Sequence, residues 1–147
     1  MSQFIMQTIT GAIGSLGFAV LFGVRDRKVW PIMAGGAACW ALYLLSIHAA
    51  GWSVFAGLFV ATFLTDLLAE ALARKLKTPV LLLLVPMLIP LIPGGDLYYM
   101  MDYLVRSNYV DFGMAARKVL MEAGAIAMGI VVGAYAATVG AIVLKKK

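Results

Sequence analysis

Charge is what this sequence has least of. Only 13% of its 147 residues are charged, where soluble domains carry about 25%. Apolar residues reach 63%, and mean hydropathy is +0.96. A soluble fold of this length could not hide so much apolar surface. The chain therefore reads as a single integral membrane domain over residues 1–147. The same composition excludes disorder, collagen and coiled coil. There is one histidine and one cysteine, which leaves no two-His metal site, no thiolate pair and no internal disulfide. Cys39 reads as a small buried residue. Walker A and dinucleotide fingerprints are both absent, and His48 has no evident nucleophile to serve. No enzyme, cofactor or metal is expected. The first 24 residues hold no Lys or Arg, so the basic start of a signal peptide is missing.

What is present is a series of uncharged runs. Phe4 to Val24 covers about 21 residues, enough to cross a bilayer core. Trp30 to Ala50 forms a second run and Ser53 to Ala73 a third, the latter containing Asp66 and Glu70. The fourth, Val80 to Ile92, is only 13 residues, about 20 Å of helix against a core of about 30 Å. It holds Pro86 and Pro90, stops at Pro93-Gly94-Gly95, and leads into an amphipathic stretch to Asn108. Ala123 to Leu144 is the last uncharged run. These predict an all-α polytopic protein of about five transmembrane helices: 4–24, 30–50, 53–73, 80–108 broken near 93–95, and 115–144. No convincing internal repeat is visible.

Nine of the twelve Lys and Arg fall in three clusters, Arg25–Lys28, Arg74–Lys77 and Lys145–Lys147. That is the pattern of cytoplasmic loops rather than of nucleic-acid binding. Five spans put all three clusters on one side, with the N-terminus outside and the C-terminus in the cytoplasm. Four spans would misplace one. Arg117 and Lys118 then fall at the outer end of the last helix, near Glu122.

The broken span is the first candidate site. Proline removes an N–H and blocks the bond to residue i−4. Unpaired backbone inside a bilayer is tolerated only where it is enclosed or lines a wet cavity, and in transporters such breaks bind substrate. A helix starting at Gly94 or Gly95 would aim free N–H groups at a carboxylate. The alternative is a short helix ending at the outer surface. Asp66 and Glu70 form the second candidate. Four residues apart, they share a helix face, and intramembrane carboxylates mark proton relays. Glu70 can equally pair with Arg74. Tyr98 could reach a substrate, while Tyr99 and Tyr103 read as interfacial aromatics. Gly129 and Gly133, with Ala125 and Ala137, read as a close-packing helix face, as do Gly11, Gly14 and Gly17 more weakly. His48 and Trp52 read as interfacial anchors.

The run Pro90-Leu91-Ile92-Pro93-Gly94-Gly95-Asp96-Leu97-Tyr98, after a Pro-containing apolar stretch, resembles the signature of the threonine/serine exporter family. More narrowly, the chain is similar to its small, YjjB-like subunit, from roughly Ile9 to Val139. That resemblance implies a plasma (inner) membrane exporter of small amino acids, or in some members of dicarboxylates such as succinate. It implies a partner too, a larger YjjP-like membrane subunit in a hetero-oligomer; a homo-oligomer is the other assembly left open. Proton-coupled export is then the expected function, with a scaffold that stabilises the larger subunit as the alternative. Pro93, Gly94, Gly95, Asp96 and Tyr98 are expected to bind substrate, and Asp66 and Glu70 to carry the coupling proton.

Overall fold

The structure, a computed structural model, describes residues 2–145; Lys146 and Lys147 of the expected basic tail lie outside them. Six α-helices follow one another: α1 Ser2–Leu21, α2 Val29–His48, α3 Val54–Leu76, α4 Val80–Leu88, α5 Gly94–Val105 and α6 Tyr109–Lys145. Short 3₁₀ turns at Asp26–Lys28 and Ile89–Leu91 join them. No strand occurs among the described residues. α1, α2, α3 and α6 are each long and apolar enough to cross a membrane. Val80–Leu91 and Gly94–Val105 form a pair bent by 62°, which makes a fifth span, fourth in chain order, if the two segments are taken together. The expected all-α polytopic architecture, with four to five long apolar helices and a break at Pro93, is thus present.

Local chemistry sets the ends of these helices. α1 closes in a Schellman turn: Val24 N–H donates to Ala19 O at 3.0 Å and Gly23 N–H to Val20 O at 3.0 Å. Gly23 holds φ +74, a left-handed conformation that glycine adopts without steric cost. Ser53 caps α3 by accepting from Ala56 N–H at 3.3 Å. At the other end of α3, Lys77 turns left-handed at φ 49, and Pro79 precedes α4.

α2, α3 and α4 form the centre, and α4 lies against α1, α2 and α3. Leu83, Leu84, Met87, Leu88 and Leu91 are buried there. Between helices in lipid there is no water to expel, so close packing supplies much of the attraction. The contacts accordingly run through glycines. Gly35 receives Met87, Gly57 receives Ile47, and Gly129 and Gly133 receive Thr62 and Asp66. The Gly129/Gly133 face therefore packs within the chain. Of the weaker row, Gly11 meets Pro90 and Trp40, while Gly14 and Gly17 meet nothing within 4 Å.

Two contacts fix the ends of the bundle. Lys28 Nζ donates to Thr78 Oγ1 at 2.8 Å, which ties the two basic loops together at one end. Gly129 opposite Thr62 and Gly133 opposite Asp66 make α3 and α6 run parallel. Seven residues before Gly129, Glu122 shares a hollow with Leu58, near the start of α3. α6 has 37 residues, or about 54 Å, well beyond a core of about 30 Å. Its first three turns extend past the end of α3, and α5 packs along them. The expected start at 115 is therefore too late. Asn108 starts the helix at Tyr109: its Nδ2 donates to Asp111 Oδ2 at 2.6 Å and its Oδ1 accepts from Asp111 N–H at 3.4 Å. Arg117 and Lys118 consequently lie inside the helix rather than at its tip.

Candidate functional site

The break is made by three prolines. Pro86 lies inside α4, Pro90 in the 3₁₀ turn and Pro93 at the N-cap of α5. Each withholds the N–H that would bond four residues back. The backbone responds by tightening: Ile92 N–H donates to Ile89 O at 3.2 Å and Gly94 N–H to Ile92 O at 2.7 Å. No side chain caps α5, so the polar groups of its first turn have no side-chain partner from the cap.

Inside the bend is a hollow of about 120 Å³, walled by Trp40 and Tyr43 of α2, the Pro90–Pro93 turn, Asp96 and Glu122. Glu122 is 5% exposed, and its Oε2 is buried with no hydrogen-bond partner among the described residues. Lys118, one turn earlier on α6, reaches Asp96 Oδ1 at 2.8 Å and Glu122 Oε1 at 4.0 Å. One ammonium thus stands between two carboxylates, and only the Asp96 contact is a hydrogen bond. The Trp40 indole N–H is likewise buried and unpartnered. Beside the hollow, among the described residues, thus stand an unpartnered acceptor in Glu122, an unpartnered donor in Trp40 and a local excess of negative charge. Unpaired buried polar atoms are rare enough to mark a site.

A second focus lies about 16 Å further along α6, eleven residues beyond Glu122. Asp66 is 1% exposed at mid-length of α3. Its Oδ2 has no partner among the described residues, and it sits in the notch that Gly133 leaves open: a Cβ there would stand 2.5 Å from that oxygen. Thr62, one turn earlier, has a buried hydroxyl with no partner among the described residues.

The structure sorts the expected residues. Pro93 and Asp96 line the hollow. Gly94 and Gly95 are exposed, with nothing within 4 Å of where a Cβ would be. Tyr98 is 68% exposed, is not among the walls of the hollow and stacks edge-on against Tyr99 at 5.6 Å. Asp66 and Glu70 share a helix but not an environment. Glu70 holds Arg74 at 3.3 Å, and Arg74 also donates to Ala137 O at 3.0 Å. Among the described residues no three His, Cys, Asp or Glu side chains gather as a metal site.

Lys118, Glu122, Trp40 and Tyr43 were not foreseen as site residues. The Lys118/Glu122 spacing of four placed them on one helix face, and Asn108 with Asp111 three residues on was the cap signal that would have moved them inside the helix. The Asp96–Lys118 pairing had no sequence signal, because it depends on the bend.

Among comparisons with known proteins, the family model described as "Threonine/Serine exporter, ThrE" matches residues 7–136. No curated protein and no solved structure matches the chain.

Proposed function

The chain belongs to the threonine/serine exporter family, whose members are transporters and not enzymes, and from that membership we propose that it exports a small zwitterionic amino acid bound in the hollow at the broken span. The observation that carries this reading is Glu122, a buried carboxylate with one oxygen unpartnered among the described residues, beside an ion-paired lysine. An α-ammonium is the group that this oxygen lacks. The substrate's carboxylate would find a donor in the Trp40 indole. A dicarboxylate fits less well, because two protein carboxylates already face one ammonium and would repel a dianion.

We further propose that Asp66 carries the coupling proton. A mid-span carboxylate with an unpartnered oxygen is suited to exchange a proton when α3 and α6 separate, whereas the Glu70 carboxylate is engaged by Arg74. With the Lys28–Thr78 end in the cytoplasm and the N-terminus outside, the hollow lies in the outer half of the plasma membrane. The larger YjjP-like subunit completes the exporter.

The test is efflux from cells preloaded with labelled threonine, serine or succinate, with this chain alone, the larger subunit alone, or both. Export of threonine or serine by the pair only supports the reading. Equal export by the larger subunit alone would make this chain a scaffold, and preferential export of succinate would overturn the zwitterion assignment.

A further inference from the structure

Polar residues on a membrane helix need a reason. On α1 the uncharged polar side chains concentrate in the first three turns, and Gln3 and Gln7, four apart, share a face. Both are exposed at the surface of the chain. Amides that face hydrocarbon have nothing to bond to, so such a stripe calls for water or another polar surface. Ile9, about 200° around the helix from Gln7, is exposed too and has the apolar character expected against lipid.

The Gln face does not open onto flat surface. Gln3 and Gln7 line a cavity of about 520 Å³ between α1 and α2, together with Trp40, Tyr43 and His48. Its residues come from the ends of α1 and α2 remote from the basic loops. A second hollow, of about 280 Å³, runs on from it along Gln7, Thr10, Gly11 and Pro90. That brings it to the proline turn, where Gly11 lets the two helices close: a Cβ there would stand 3.4 Å from Pro90. The third hollow is the one at Glu122. Trp40 is a wall of all three. Its ring meets Tyr43 at 5.3 Å in a tilted contact, and its N–H has no acceptor among the described residues to lock it in place.

We propose that Gln3, Gln7 and His48 line the exit vestibule of the transport path, and that Trp40 is the partition between this vestibule and the hollow at the break. The proposal rests on the export reading above and extends it with a route. The solute leaves the Glu122 hollow when the Trp40 indole swings aside. It then passes between α1 and α2, where two amides and an imidazole offer both donors and acceptors to its ammonium and carboxylate. Among the described residues no carboxylate, lysine or arginine lines the vestibule, so no fixed ion pair holds either end of a zwitterion and release is favoured.

Thiol accessibility tests this without requiring transport. In a Cys39→Ala background, co-expressed with the larger subunit, Gln7→Cys and Ile9→Cys are each treated on intact cells with a membrane-impermeant maleimide. The expected result is complete modification of Gln7→Cys and none of Ile9→Cys, at equal membrane abundance. An unmodified Gln7→Cys, or equal modification of both, would overturn the vestibule. For the partition, Leu91→Cys in the break hollow should stay unmodified with Trp40 or Trp40→Phe and become modified with Trp40→Ala. Leu91→Cys that reacts equally in all three, or in none, would overturn the role of Trp40. If the labelling holds while no pair exports threonine or serine, the export reading falls and the water-filled path stands.

Discussion

Glu122 and Asp66 are both buried carboxylates with one oxygen unpartnered among the described residues, yet their surroundings differ. Glu122 has Lys118 at 4.0 Å and a hollow in front of it. Asp66 has Gly133 and Thr62 beside it and, among the described residues, no ion pair. Removing one member of a desolvated charge cluster leaves the other uncompensated, which costs more than breaking an exposed pair. Lys118→Met should therefore reduce the membrane abundance of the folded protein, because Glu122 loses the one cation it pairs with among the described residues. Arg106→Met, which breaks an Arg106–Asp102 pair whose arginine side chain is 73% exposed, should leave abundance unchanged. Quantified membrane expression separates the two. Asp66→Asn is isosteric and should assemble normally while export is lost; undiminished export would remove Asp66 from the coupling step.

At the scale of helices, the α3–α6 contact depends on what glycine leaves out. Gly129→Ala would put a Cβ 2.8 Å from Thr62 Cβ and 2.9 Å from the Phe59 carbonyl, and the backbone cannot yield as a side chain can. Overpacking of this kind costs about 1–3 kcal/mol. Gly35→Ala should cost less, although its Cβ would come 2.7 Å from Met87 Sδ, because a methionine end can turn away. Gly140→Ala meets nothing and should be neutral. Thermal unfolding in detergent should rank Gly129→Ala below Gly35→Ala, and Gly35→Ala below Gly140→Ala. The helices themselves were legible because uncharged runs of about twenty residues have few alternatives in lipid. The break was legible because proline acts on its own backbone. The start of α6 was not: Asp111, Arg117, Lys118 and Glu122 interrupt the apolar run, and a helix that continues beyond the bilayer has no need to be apolar. The site was legible only on its α4–α5 side. Its α6 side arrives through a contact between residues 22 apart, set by a 62° bend.

The whole molecule is polarised. Basic loops joined by Lys28 and Thr78 mark one end, and the α5–α6 hairpin marks the other. That hairpin turns at Ser107, which holds φ 56, and carries exposed Val105, Tyr109 and Val110. An epitope inserted at Ser107 should be reached by antibody on intact cells, and one inserted at Arg27 only after permeabilisation; the reverse pattern would invert the topology. Every functional assignment then turns on whether the hollow at the bend holds the solute. The most direct measurement is export of preloaded labelled threonine by the paired subunits, with Glu122 against Glu122→Gln at matched abundance. Loss of export in Glu122→Gln, with subunit association retained, is the predicted result. Export at the unmodified rate would contradict the assignment of Glu122 and of the hollow it faces.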